Sequence, residues 1–173
     1  MNYLKDKIVY LCGSIHAVSD DGLGWRTTIT PNLTDIFGVI VDDPCKKTVN
    51  GQGEVADDKK ILKELIKDGK FLEVKEKFYP IVRKDLRSVD KCDFLIVVYD
   101  PTVHLVGTIA EIILAHQQRK PMLMFFDKAK QESVNPWIFT YFKDTCIFTE
   151  WNKMFEYLEN INSGKFDTSY WTL

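Results

Sequence analysis

An acid in apolar company is the first residue that could carry chemistry. Glu111 sits among Ile109, Ala110, Ile112, Ile113 and Leu114, in the segment Val106-Gly107-Thr108-Ile109-Ala110-Glu111. There a glycine and a threonine open a helix and the acid follows within its first turn. A carboxylate at that place points toward a cleft. The positive end of the helix dipole favours the anionic form that a nucleophile needs. The same spacing also satisfies a capping box, with Thr108 as N-cap and Glu111 as its N3 partner. Spacing alone leaves both readings open.

Two other segments join it. Tyr10-Leu11-Cys12-Gly13-Ser14-Ile15 runs from an apolar stretch into a loop. Gly13 can let the backbone approach a ligand, and the Ser14 hydroxyl can donate to a sugar or phosphate oxygen. No GK[ST] follows, so this is not a P-loop. Asp85-Leu86-Arg87-Ser88-Val89-Asp90-Lys91-Cys92-Asp93 is a polar helix entering a strand, and a solvated face is its plain alternative.

The elements that must position these residues follow from apolar patterning. Short runs at Lys7 to Cys12, Gly38 to Val41, Asp93 to Tyr99, Pro121 to Phe126 and Thr145 to Phe148 have the pattern of strands buried on both faces. Helical spacing is expected from Trp25 to Phe37, with Pro31 beginning or kinking the helix. It is expected again at Asp57 to Lys77, where Gly69 can break it, and at Ile81 to Lys91, Thr108 to Gln118, Ser133 to Phe142 and Trp151 to Ile161. The expected fold is therefore a doubly wound, flavodoxin-like α/β domain spanning 1–173, with a parallel five-stranded sheet and helices on both faces. Ligands of such sheets bind outside the carboxyl ends of the strands, where strand order reverses. That rule points to the loops Gly13 to Trp25, Asp42 to Gly53 and Asp100 to Gly107.

Composition agrees with this picture. The 173 residues suit one domain, and a net charge of −2 gives no electrostatic footprint for nucleic acid. The four cysteines, Cys12, Cys45, Cys92 and Cys146, form no CxxC pair; those in or beside apolar runs read as reduced, buried thiols. His16, His104 and His116 are scattered and no metal site is expected. No apolar run spans a bilayer and MNYLKDK has no signal-peptide character, so a cytoplasmic location is the default expectation. The stretch 50–58 reads as a mobile loop. The tail from Ser163 to Leu173 ends in Tyr170 and Trp171, aromatics that suggest packing.

In combination, YLCGSI at Tyr10 to Ile15, DLRSVDKCDFLIVV at Asp85 to Val98 and GTIAE at Gly107 to Glu111 resemble the nucleoside 2-deoxyribosyltransferase superfamily, which includes deoxynucleoside monophosphate N-glycosidases. Order and spacing agree from roughly residue 7 to 125, about two-thirds of the chain. The resemblance implies cleavage or exchange of the N-glycosidic bond of a nucleoside or its 5′-monophosphate. It assigns Glu111 as nucleophile, Tyr10 as the hydroxyl orienting it, and Asp85 as the group that contacts the sugar or assists the departing base. Gly13, Ser14 and Ile15 match the loop that touches sugar or 5′-phosphate. Gly107 and Thr108 open the nucleophile's helix, and Arg26 lies near a phosphate-binding basic position. The resemblance also implies a homo-oligomer with a small-molecule substrate and no cofactor.

Some positions depart from the family pattern. Where many transferases carry an acid or serine six residues before the nucleophile, this chain has Leu105, and the preceding His104 could substitute. The stretch Asp20 to Arg26 is longer than usual. Trp25 could stack on a base or plug the core edge. Asp42 and Asp43 could bond a base amino group or cap a turn. Competing readings are a phosphoribohydrolase, although its PGGxGT stretch is missing, a TIR-like NAD-cleaving domain, and a nucleotide-sensing module without catalysis.

Overall fold

The computed structural model describes residues 2–15, 18–46, 48–49, 52–53, 56–167 and 169–171, without the side chains of 48, 49, 52, 53 and 56–59. Chain order is β1 (Ile8–Gly13), α1 (Leu23–Pro31), β2 (Ile40–Asp42), β3 (Thr48–Val49), β4 (Gln52–Gly53), α2 (Ala56–Lys67), α3 (Phe71–Lys91), β5 (Phe94–Val98), α4 (Val106–Gln117), β6 (Met122–Phe125), β7 (Ile147–Phe148) and α5 (Trp151–Asn162). Strands β2-β1-β5-β6-β7 form one sheet in that order, every pair parallel. This is the flavodoxin-like arrangement, and strand order reverses between β1 and β5. The register across the reversal aligns Tyr10 with Leu95 and Gly13 with Val98.

Both faces of the sheet are buried, as the continuous apolar runs require. Successive side chains of a strand point to opposite faces. Val9 and Leu11 of β1, with Phe94 and Ile96 of β5, therefore enter the core shared with Ile29 of α1 and with Met154, Leu158 and Ile161 of α5. Tyr10 and Cys12, with Leu95 and Val97, enter the opposite core with Val89 of α3 and with Ile112 and Ala115 of α4. Two residues that could do chemistry, Tyr10 and Cys12, thus share the face that α4 covers.

Helix boundaries show where local chemistry competed with pattern. Gly69, at φ 70°, ends α2: its N–H donates to Ile66 O, and Lys70 N–H donates to Leu65 O. That is the paired bonding of a Schellman stop. The helices expected to end at Lys77 and restart at Ile81 are instead the continuous α3, which runs through Pro80. Proline removes one donor, a loss a 21-residue helix can tolerate at an exposed position. Pro31 closes α1, and a π-helical segment, Asn32–Ile36, follows it. The helix expected at Ser133 to Phe142 is replaced by two 3₁₀ segments, Lys128–Ser133 and Pro136–Tyr141. Asn135 precedes a proline and is held extended, which interrupts any α-helix there. The carboxyl group of Asp127 and the amide oxygen of Asn135 cap the two segments by accepting from Ala129 N and Trp137 N.

The loop read at 50–58 lies in part outside the described residues, at Asn50, Gly51, Glu54 and Val55; β4 lies within it and pairs antiparallel with β3 just before it, and α2 begins at Ala56. His16, Thr168, Thr172 and Leu173 also lie outside them. Among the described residues, no helix is long and apolar enough to cross a membrane.

The C-terminal aromatics pack onto the chain's own core. Trp171 is buried against Phe94, with ring centroids 5.2 Å apart, and its indole N–H donates to Tyr157 Oη at 2.9 Å. Tyr170 Oη accepts from Met122 N at 2.8 Å, at the start of β6. Trp171→Ala is expected to cost about 3–5 kcal/mol, the range for emptying a large buried aromatic site. Urea unfolding measures this, and an unchanged midpoint would show that the tail is not part of the core.

Candidate functional site

A cavity of about 530 Å³ opens at the carboxyl ends of β1 and β5, at the reversal of strand order. One wall is the loop after β1, with Gly13, Ser14 and Ile15. Another is the turn from β5 into α4, where His104, Leu105, Val106, Gly107 and Thr108 lead to Glu111. The third is α3, which presents Phe78, Ile81, Val82 and Leu86 together with Asp85. The cavity therefore carries two acids, Glu111 on α4 and Asp85 on α3, and its α3 side is otherwise apolar.

Glu111 is only 7% exposed. Tyr10 Oη donates to its Oε1 at 2.8 Å, and Cys12 Sγ lies 2.9 Å from Oε2. These contacts decide between the two sequence readings of Glu111. The N-cap of α4 is Leu105, which makes no side-chain capping bond, and Ile109 N–H is satisfied by Leu105 O. Because α4 begins at Val106, Glu111 lies beyond the first turn and its carboxylate is not part of a capping box.

Its electrostatics differ from the expectation of a dipole-stabilised anion. Burial pushes the Glu111 carboxyl up to about 7, and the nearby charge of Asp85 adds to the rise. The donors Cys12 and Tyr10 and the charge of Arg26 oppose it. Burial also raises the Tyr10 hydroxyl and the Cys12 thiol, and Glu111 raises both further. Both groups therefore keep their protons at neutral pH and remain donors to the carboxylate.

Of the residues singled out in the sequence, Glu111, Asp85, Gly13, Ser14, Ile15, Gly107 and Thr108 line the cavity, and Tyr10 reaches it through Glu111. His104 and Leu105 line it as well. Trp25, Arg26 and Asp43 do not. Trp25 stacks on Trp151 with centroids 6.2 Å apart, and Trp151 stacks in turn on Phe125 at 4.0 Å, so Trp25 closes the core edge. Arg26, at 0% exposure, donates from Nη2 to Gly13 O at 2.9 Å and to Leu11 O at 3.2 Å, and from Nη1 to Gly22 O at 2.7 Å. Its Nε lies 3.6 Å from Asp43 Oδ1. That carboxylate also accepts from Cys45 N at 2.9 Å. The guanidinium expected near a phosphate thus fastens β1 to the following loop. Asp42 borders a separate basic cleft with Arg83, Lys84, Arg87 and Lys91 of α3.

Glycine is required at Gly22, and Gly13 is a tight position beside it. A Cβ on Gly13 would stand 3.1 Å from Trp25 Cζ2 and 3.2 Å from Val98 O. Gly22 has φ 70°, and a Cβ there would fall 2.4 Å from both Arg26 Nη1 and Ser14 O. Gly13 therefore serves close packing of β1 against β5 and α1. The unusual length of Asp20 to Arg26 has a local explanation. Asp20 accepts from Gly22 N and Gly24 N and fixes the entry into α1.

Two features escape a reading of the sequence alone. Cys12 has the surroundings of an inert apolar thiol, although its position two residues after Tyr10 on a strand places both on one face. The apolar wall of α3 is masked because Val82 and Leu86 share helical spacing with Val89 and so read as one core-facing stripe; Val89 is buried in the core, whereas Val82 and Leu86 border the cavity.

No protein-family model and no curated protein matches this sequence. Solved structures do match its fold. A 2-deoxyribosyltransferase from Bacillus psychrosaccharolyticus superposes with a TM-score of 0.54 at 18% identity, over 87% of this chain and 91% of that one. A conserved protein from Enterococcus faecalis V583 gives a TM-score of 0.61 at 14% identity, over 90% and 99% of the two chains. The chain shares the flavodoxin-like α/β fold of these proteins, as the sequence patterning implied.

The raised carboxyl of Glu111 bears on stability. Its folded pKa of about 7 lies above the ordinary value of 4.5, so the unfolded chain releases this proton first as pH rises. The contribution is fully present below pH 4.5 and is lost as pH rises through 7, at a limiting slope of roughly 1.4 kcal/mol per pH unit between the two values. Urea unfolding across this range should show the native protein losing stability relative to Glu111→Gln; parallel curves would contradict the raised pKa.

Proposed function

We propose that this protein cleaves or exchanges the N-glycosidic bond of a nucleoside or its 5′-monophosphate, with Glu111 as nucleophile. The observation that carries this reading is a buried carboxylate, gripped through both oxygens, at the floor of a cavity at the sheet's switch point. The apolar side chains of Phe78, Ile81, Val82 and Leu86 suit a nucleobase. The hydroxyls of Ser14 and Thr108 and the backbone around Gly107 suit the sugar and its substituents. The fold shared with a 2-deoxyribosyltransferase is consistent with this reading.

The chemistry follows from the charges. As the bond between the anomeric carbon and the base nitrogen breaks, its electron pair leaves with the base and positive charge grows on the sugar. A Glu111 carboxylate stabilises that centre and then bonds to the anomeric carbon. Asp85, on the facing helix, is placed to contact the sugar or to deliver a proton to the departing base. Water, giving its proton to the Asp85 carboxylate, or a second base then attacks the same carbon, and the Glu111 carboxylate is released. Tyr10 and Cys12 keep their protons throughout and act by holding Glu111. Because the Glu111 carboxyl titrates near 7, activity is expected to rise with pH through that value as the nucleophile ionises.

Incubation with a panel of deoxynucleosides, ribonucleosides and their 5′-monophosphates, with and without an acceptor base, tests the reading. Free base without acceptor identifies a hydrolase, and a new nucleoside identifies a transferase. Glu111→Ala is expected to lower the rate by roughly a thousandfold or more, because the covalent route disappears. Full activity in that variant, or no base released from any substrate, overturns the proposal.

A further inference from the structure

The Cys12 thiol is fully buried, and its sulfur lies 2.9 Å from Glu111 Oε2 and 3.9 Å from Thr108 O. Ninety-nine residues separate Cys12 from Glu111, so this contact exists only because β1 and α4 are packed together. Tyr10 holds the other carboxylate oxygen from the same strand face. The last torsion of a glutamate side chain is broad, so one donor leaves the carboxylate free to rock about the bond it swings on. Two donors from one rigid strand, one to each oxygen, define its plane.

We propose that Cys12 is a positioning residue that, with Tyr10, sets the orientation of the Glu111 carboxylate toward the cavity and moderates its basicity. The proposal rests on Glu111 acting as nucleophile. A thiol suits the task because it is a weak donor. It orients the oxygen and withdraws less electron density than a hydroxyl, which would hold the anion more tightly and blunt it. The thiol also stays protonated: burial raises its pKa, and the Glu111 charge raises it further. The groups that act on Glu111 are Tyr10 and Cys12 on β1, which donate to it, and the charges of Asp85 on α3 and Arg26 on α1. The first two and Arg26 favour the anion, and Asp85 opposes it.

Cys12→Ala and Cys12→Ser test the assignment. Loss of the donor in Cys12→Ala should raise the Glu111 pKa by about 1, the size a charge-assisted hydrogen bond supports. It should lower kcat at pH 7 about fivefold, as the ionised fraction of Glu111 falls, while KM changes by less than roughly twofold. Cys12→Ser retains a donor, and should restore kcat to within a few-fold and move the acid limb of the pH profile in the opposite direction. The Glu111 pKa is read directly by carboxyl carbon-13 NMR titration of the ligand-free protein, with Glu111→Gln to assign the signal.

A titration and pH–rate profile unchanged in Cys12→Ala overturns the proposal and leaves Glu111 as nucleophile untouched. Full activity in Glu111→Ala removes the functional reading instead, and with it any catalytic meaning of the thiol. If Cys12→Ala fails to fold, Cys12→Ser carries the test through the direction in which the Glu111 pKa moves, and an unmoved pKa in that variant overturns the proposal.

Discussion

The site is organised around one buried carboxylate and the two protonated donors that hold it. Glu111 stands on a helix, whereas Tyr10 and Cys12 stand on the central strand. Their hydrogen bonds join the two elements across the covered face of the sheet. A carboxylate withdrawn from water is costly unless hydrogen bonds replace its hydration. Here the replacement is partial, and the group comes to rest near neutral titration. That balance leaves the carboxyl group able to change its ionisation near neutral pH while its two donors hold it in place.

The strand that supplies the donors is itself secured. Arg26 reaches back from α1 to the carbonyls of Leu11 and Gly13 and to that of Gly22, and the Asp43 carboxylate balances its charge. A buried guanidinium with this many acceptors makes a stiff brace. It holds the end of β1 at the point where the cavity loop departs. Gly22 makes room for it. On the far side of the switch point, Asp100 accepts from Thr102 N and pairs with Lys130, which fastens the loop after β5. The carboxylate is thus supported by braced elements on both sides of the switch point.

The cavity has two characters because α3 passes over it as one helix. Toward its C-terminal end the apolar stripe of that helix fills the core at Val89, while earlier along it Phe78, Ile81, Val82 and Leu86 border the open space beside Asp85. Had the chain broken near Pro80, the upper part of this wall would not be aligned with the lower part. The continuity of α3 therefore shapes the pocket as much as the loops do.

Much of this was legible in the sequence, and the legible part is the local part. Continuous apolar runs of strand length, separated by helical periodicity, determined a parallel sheet covered on both faces, with its ligand loops at the carboxyl ends of the strands. An acid set in an apolar helix start marked Glu111, and Gly69 marked the end of α2. The tertiary structure decided what neighbours in sequence cannot report. Thr108 and Glu111 have capping-box spacing, yet the carboxylate bonds Tyr10 and Cys12, about a hundred residues away. Trp25, Arg26 and Asp43 have the chemistry of ligand-binding groups, yet packing turned them into a core edge and a buried brace. The reason is physical: periodicity encodes which face of an element is apolar, whereas a polar side chain's role depends on which partner the packed elements bring within hydrogen-bond distance.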